Sequence, residues 1–305
     1  MDWLYFHFSV SGVDSFVFFP PLVAFIVSFF TSMGGVSGAF LLLPYQMSVM
    51  DYTAPSVSAT NQVYNIIGIP SGVYRYIREK RMVWPLTWAV IIGTLPGVFI
   101  GAWVRVVYLP DPKQFKLFAG FVLLYIFVQL ARDIYKSARG AALSKTKGPN
   151  GDVCVTDAKF SLTCVEYKFA GLTYSFSPWG ILLLCFLVGA VGGTYGVGGG
   201  AIISPFFVAI FKMPIYTVAG AALMGTFITS LAGAVFYQLL DLAAVGTSAV
   251  APDWALGALF GIGGFGGMYL GARCQKHVPA RWIKGLLAVI MVSTASTYIV
   301  GFFMK

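Results

Sequence analysis

Three uncharged amides and two glycine-rich breaks hold most of the chemistry in an otherwise apolar chain. The amides are Asn61, Gln62 and Asn65. The breaks are Gly34-Gly-Val-Ser-Gly38 and Val191-Gly-Gly-Thr-Tyr-Gly-Val-Gly-Gly-Gly-Ala201. Six of the eleven residues in the second break are glycine, and it lies in a run from Ile181 to Phe211 with no charged residue. Each glycine costs a helix interior about 1 kcal/mol relative to alanine, so a helix should stop there. A helix restarting near Gly38 or Gly199 would offer free N–H groups and about half a positive charge at its N-terminus. That is an anion site built from backbone. Glycine also admits the φ values of a nest and the close approach of a ligand, and Ser37 adds a hydroxyl.

The segments after each break supply side chains. Ser56, Ser58, Thr60, Asn61, Gln62 and Asn65 fall on the first, and Thr217, Thr226, Thr229 and Ser230 on the second. Asn61 and Asn65 are four apart and share a helix face. Amides and hydroxyls can donate to an oxyanion without fixed charge. They also bond across membrane helices for purely structural reasons. For the amide cluster beside a helix break, a binding role is the reading adopted. The expected substrate-binding residues are Gly35, Ser37, Gly38, Asn61, Gln62, Asn65, Gly198, Gly199, Gly200 and Thr226.

Other chemistries find little support. Cys154, Cys164, Cys185 and Cys274 show no CxxC spacing, so no metal site is expected, and a Cys154–Cys164 disulfide stays open. Gly196-Val-Gly-Gly-Gly-Ala201 fits G-x-G-x-x-A, but an apolar helix rather than a strand precedes it. G-x-S-x-G and H-E-x-x-H are absent. No catalytic residue and no cofactor are expected. No Asp or Glu lies mid-span, which removes the usual intramembrane proton relay. His7 and His277 sit at span edges, where solvated or interfacial roles are expected. Arg75 could reach inward from a span end, although a topology anchor is its more ordinary role.

These residues need a membrane scaffold. The 305 residues are 58% hydrophobic and only 10% charged, against about 25% charged in soluble domains. Mean hydropathy is +0.81. The chain reads as an all-α polytopic protein of the cell (inner) membrane, with a multi-pass topology. The net charge of +9 then reports loop location rather than nucleic acid. Met1–Val10 lacks a basic n-region, so no cleaved leader is expected. A span needs about 20 apolar residues. The apolar segments are Phe16–Met50, Tyr52–Tyr74, Val83–Val107, Phe115–Ala131, Trp179–Ile210, Ile215–Leu240, Trp254–Ala272 and Trp282–Phe303. Between the two groups of four, Cys154–Phe176 is rich in β-formers and reads as a small β-hairpin-like insert.

The halves align. Gly35-Val-Ser-Gly-Ala-Phe-Leu-Leu-Leu-Pro-Tyr45 matches Gly196-Val-Gly-Gly-Gly-Ala-Ile-Ile-Ser-Pro-Phe206 without a gap. Further on, Gly97-Val-Phe-Ile-Gly-Ala102 meets Gly267-Met-Tyr-Leu-Gly-Ala272. Duplicated halves with glycine-interrupted segments at matching positions point to a transporter site between the repeats.

Charge sets the topology. Arg75–Arg81, the loop after Arg132, and Arg273–Lys284 are strongly basic and should be cytoplasmic; Asp241–Asp253 has no Lys or Arg and should be outside. Two apolar segments separate the central loop from Asp241, yet the crossing number must be odd. One segment must therefore enter and return. Trp179–Ile210 has 32 residues, about 48 Å as one helix at 1.5 Å per residue. That is too long for a core of about 30 Å, but two hairpin arms fit. The expected fold is two inverted repeats, each a re-entrant glycine-broken hairpin plus three transmembrane helices. The boundaries are 16–136 for the first repeat, 137–177 for a cytoplasmic insert and 178–303 for the second repeat. Arg105, Lys113 and Lys116, accompanied by Asp111, fall on the outer side and count against this orientation.

Gly196-Val-Gly-Gly-Gly-Ala-Ile-Ile-Ser-Pro205 resembles the signature of the sulfite exporter TauE/SafE family of membrane permeases. Gly34-Gly-Val-Ser-Gly-Ala-Phe-Leu-Leu-Leu-Pro44 is a weaker copy. The resemblance covers nearly all of the chain except about 140–177. It implies transport of small sulfur-containing anions such as sulfite, sulfoacetate or related organosulfonates. The departures are Ser37, where the second copy has Gly198, and the cysteine-containing insert. The expected activity is alternating access around the two tips. An anion channel and a non-transporting membrane scaffold or assembly factor remain the alternatives. The implied partners are a small anionic substrate and the lipid bilayer, with no nucleic acid; monomer and homodimer both stay open.

Overall fold

The structure is a computed structural model. It describes residues 5–34, 37–78, 82–140, 155–160, 165–169, 172–209, 211, 213, 215–246, 248–274 and 280–304. Gly35, Cys154, Cys164 and His277 lie outside the described residues, as do the side chains of Arg75 and Thr217.

The chain opens with a hairpin absent from the sequence reading. Strands β1 (Tyr5–Phe8) and β2 (Val13–Phe16) pair antiparallel, with Phe8 opposite Val13 and both buried. Helices α1 (Phe19–Gly34) and α2 (Ala39–Ser48) flank the first glycine break. The next segment is two helices, α3 (Ser56–Gly68) and α4 (Pro70–Arg78), where a single span was expected. Pro70 has no N–H to continue the ladder. Then follow α5 (Trp84–Val107) and α6 (Pro112–Gly140). The β-rich insert has three antiparallel strands, one more than a hairpin: β3 (Val155–Phe160), β4 (Val165–Phe169) and β5 (Leu172–Phe176). Helices α7 (Pro178–Tyr195) and α8 (Gly200–Ala209) flank the second break, followed by α9 (Ile215–Leu242), α10 (Trp254–Cys274) and α11 (Ala280–Phe303).

Among the described residues, six helices are long and apolar enough to cross a membrane: α5, α6, α7, α9, α10 and α11. Large apolar side chains such as Ile92, Leu183, Leu239, Ile262 and Val289 face outward. That pattern suits a lipid surface. Exposed Trp84, Trp179, Trp254 and Trp282 lie at the starts of four helices, as in an interfacial aromatic belt.

Two glycine seams hold the bundle. Helix α5 packs on α7, and α10 packs on α1. On α5, added methyls at Gly97 and Gly101 would overlap the carbonyl oxygens of Phe186 and Ala190. On α10, methyls at Gly263, Gly267 and Gly271 would overlap those of Pro21, Phe25 and Phe29. Residue numbers rise together across each seam, so both helix pairs run parallel. The registers correspond: Gly97 sits on Phe186 as Gly267 sits on Phe25, and Gly101 on Ala190 as Gly271 on Phe29. Small residues let backbones approach closely where apolar lipid offers no hydrophobic drive for helix association. Other packing pairs α3 with α10, α5 with α9, and α6 with α11.

Replacing Gly101 by valine should cost at least the 1–3 kcal/mol typical of overpacking, because the opposing atoms are backbone. The same change at Gly285, where nothing lies within 4 Å, should be neutral. Thermal unfolding of the two variants by size-exclusion or light scattering, in one detergent, checks the contrast.

Candidate functional site

The second break folds back on its own helix. Gly196, with φ 86°, ends α7; its N–H and that of Val197 both donate to the Gly192 carbonyl, at 2.9 and 3.0 Å. Gly198 also lies in left-handed space, with φ 73°, and glycine makes both turns without strain. Space is equally tight. A methyl on Gly199 would lie 2.5 Å from Thr94 Cβ and 3.2 Å from the Gly189 Cα. The chain has thus returned beside the helix it left. A methyl on Gly200 would meet the Ala222 carbonyl and, at 2.7 Å, the Thr226 nitrogen. The Gly199 N–H donates to Thr229 Oγ1 at 3.1 Å.

The first break turns differently. Gly38 has ordinary helical angles, φ −59° and ψ −28°. It is glycine for room: a methyl would overlap the Tyr64 hydroxyl and come within 3.0 Å of Ser28 Oγ. Ser28 and Tyr64 hydroxyls are themselves 2.7 Å apart. Ser37, in place of a left-handed glycine, accepts the Ala39 N–H at 3.3 Å and so caps α2. The two tips are therefore unequal.

Helix α3 joins them. Asn61 Nδ2 donates at 3.1 Å to the carbonyl of Ala39, at the start of α2, and at 3.1 Å to that of Gly196. Asn65 Nδ2 donates to the Val197 carbonyl at 3.1 Å and to Ser230 Oγ at 3.3 Å. Ser58 Oγ donates to the Thr194 carbonyl at 3.1 Å, and Tyr237 to that of Gly193 at 3.1 Å. Tyr195 in turn donates to the Phe40 carbonyl at 2.9 Å. Each carbonyl lies where a helix ends or begins. The break after α7 thus leaves acceptors that side chains from elsewhere take up, whereas the Ala39 carbonyl already accepts within α2.

Of the expected residues, Ser37, Gly38, Asn61, Asn65, Gly198, Gly199, Gly200 and Thr226 are gathered around these two tips. Gln62 is on the same helix, with its carboxamide resting on bare Gly233 of α9. The amide donors of Asn61 and Asn65 are spent on carbonyls and a hydroxyl. Thr226 Oγ1 is turned back on its own helix, to the Ala222 carbonyl at 2.8 Å. Gln62 is different: it is fully buried, and neither Nε2 nor Oε1 has a partner. Asn61 Oδ1 and Asn65 Oδ1 are likewise buried and unpaired. Each such atom costs roughly 1–3 kcal/mol, and groups of this kind mark a place that water or a ligand fills. Sequence reasoning passed over Ser28, Tyr64 and Tyr195. Tyr64 has one sequence signal, an aromatic residue that aligns with Gly225 in the second half.

The model of the sulfite exporter TauE/SafE family matches residues 21–298. The chain is 22% identical over 274 residues to the probable membrane transporter protein YunE of Bacillus subtilis (strain 168), covering 86% of this chain and 89% of that protein. No solved structure matches.

The amide cluster predicts opposite stability effects at neighbouring positions. Asn61→Ala leaves the buried Gly196 carbonyl without its donor, while the Ala39 carbonyl keeps its bond within α2, and should destabilise by about 1–3 kcal/mol. Gln62→Leu removes two unpaired atoms at similar volume and should leave stability unchanged or raise it. Thermal midpoints of the two purified variants decide the matter; a large fall for Gln62→Leu would assign that amide to the scaffold.

Proposed function

The chain belongs to the sulfite exporter TauE/SafE family, a family of membrane transporters, and on that premise we propose that it carries small sulfur-containing anions. Sulfite or a C2 organosulfonate such as sulfoacetate is the substrate class. The carrier works by alternating access around the α1–α2 and α7–α8 tips. The observation that carries this reading is the Asn61 carboxamide, which ties the start of α2 to the end of α7, 3.1 Å from each carbonyl. Beside it Gln62 offers the uncommitted donors. A tetrahedral or pyramidal oxyanion there would take N–H groups from Gln62 and from the first turn of α8, and the dipoles of α2 and α8 favour negative charge. Gly35, Ser37, Gly38, Gly198, Gly199 and Gly200 shape the two backbone cradles, and Asn65 and Thr226 wall them.

The two halves, 16–136 and 178–303, form inverted repeats in this reading, with 137–177 as a cytoplasmic insert. The parallel α5–α7 and α10–α1 seams support it. If α1 and α7 enter from opposite faces, a helix of each half lies along the hairpin of the other. Moving one hairpin past its seam would open the tips to one side at a time. Asn61 bonds would then break on one tip and hold on the other. The uncommitted donors favour a carrier over a pore, since a continuous pore leaves no closed compartment for a desolvated anion.

Purified protein in liposomes should take up ³⁵S-sulfite, and unlabelled sulfite on the opposite side should accelerate it. Gln62→Leu should lower uptake about tenfold or more, the equivalent of ~1.4 kcal/mol of lost binding. Uptake without trans-acceleration would assign a channel. No uptake of sulfite, sulfoacetate or taurine would sink the transport reading of these tips. In a cysteine-free background, a cysteine at Ser248 should label from outside and one at Arg78 only from inside; the reverse pattern overturns the orientation.

A further inference from the structure

Arg105 is a fully buried guanidinium in the last turn of α5. Its Nη groups donate to the carbonyls of Leu109 and, at 3.0 Å, Thr53. Its flat face covers Phe115, with the guanidinium carbon 3.6 Å from the ring centroid. The Nε–H is buried without a partner. Among the described residues no carboxylate lies within ion-pair reach of it. Asp253, the buried carboxylate in this region, is fully used: Oδ1 accepts the Leu256 N–H at 3.0 Å, and Oδ2 accepts the Ser11 hydroxyl at 2.8 Å and its N–H at 3.2 Å.

Two carbonyls, one aromatic face and the negative end of α5 offset part of the cost of burying this charge. They do not neutralise it, and a buried cation without an anion is expensive. The tyrosines nearby are no substitute. Tyr52 and Tyr237 lie within electrostatic reach of the guanidinium, but burial pushes the Tyr52 phenol up and away from ionisation. The buried Ser56 hydroxyl lies beside the Tyr52 phenol and has no other polar partner. The cluster is also continuous with the second tip, because Tyr237 donates to the Gly193 carbonyl at 3.1 Å.

Building on the transport reading above, we propose that Arg105 is the centre of a second anion site, at the outer end of the path, which captures the sulfur oxyanion before the tips receive it. The Nε–H and the charge of Arg105 hold the oxyanion, with the Ser56 hydroxyl as a second donor. Guanidinium suits this task because it keeps its charge and presents planar donors to oxyanions. One of the three basic residues that stood against the outside assignment of this end then has a role there.

The test uses full-length protein in nanodiscs, with gluconate as the background anion and sulfite as the probe. Sulfite should raise the thermal midpoint of the wild type saturably. Gln62→Leu should keep that stabilisation, because it leaves the outer site intact. Adding Arg105→Gln to Gln62→Leu should abolish it, and adding Arg105→Lys should weaken the half-saturating sulfite about tenfold while keeping the effect, since charge survives without the fork. In liposomes, Arg105→Gln alone should raise the KM for sulfite about tenfold with little change in maximal rate, the pattern of a lost capture step. If Gln62→Leu shows no sulfite stabilisation, the outer site is overturned, whether or not any Arg105 variant folds. Persistence of the effect in the folded double variant overturns it equally. Wild-type uptake by Gln62→Leu would instead count against the tip reading and leave the outer site standing.

Discussion

A helix broken inside an apolar medium leaves carbonyls and N–H groups that no solvent will pair, and this requirement organises the centre of the molecule. Around the second tip, the carbonyls of Gly193, Thr194, Gly196 and Val197 are taken by Tyr237, Ser58, Asn61 and Asn65 in turn. Four acceptors in five residues draw donors from two helices, α3 and α9. Leaving them unpaired would cost roughly 1–3 kcal/mol each, a large fraction of the 5–15 kcal/mol that a folded domain has in total. The polar residues of α3 are thus conditions for the tip to exist at all. The same helix can serve a substrate only with atoms that the tip does not consume.

That division of labour separates neighbours on one helix. Asn61 and Asn65, one turn apart, point their donors at backbone. Gln62, between them in sequence, points toward α9 and lies over Gly233 with both polar atoms unpaired. The glycine seams make this geometry reachable. Without side chains at Gly97, Gly101, Gly263, Gly267 and Gly271, helix backbones approach until carbonyls touch α-carbons, and the tips are pressed against their neighbours from both sides.

The two halves diverge at their tips. Ser37 caps α2 with its hydroxyl, whereas Gly198 turns through left-handed space. Tyr64 fills the space over Gly38, whereas its aligned counterpart is Gly225. Asn61, Gln62 and Asn65 are on α3, and α9 has Thr226 at the position that aligns with Asn65. The two tips therefore have different linings.

The membrane class, the positions of the helix breaks and the membership of a permease family were legible in the sequence, because they rest on composition and on local glycine cost. The break at Gly196–Gly200 follows from glycine alone, wherever the helix goes. The division of the segment 52–74 at Ile69 had a local signal in Pro70 that the sequence reading did not use, whereas the third strand of the insert and the β1–β2 hairpin rest on short, ambiguous stretches. The roles within the amide cluster were beyond sequence for a different reason. Asn61, Gln62 and Asn65 have the same functional group, and nothing local distinguishes a donor aimed at the Ala39 and Gly196 carbonyls from one with no partner. Arg105 is the sharper case: adjacent in sequence to a span end, it reads as a solvated flanking charge. Only the arrival of Tyr52 and Thr53, Phe115 and Tyr237 from three other segments buries it and leaves its charge uncompensated. Sequence determined that backbone would be broken in the membrane; tertiary contacts decided which side chains repair it and which remain free to bind.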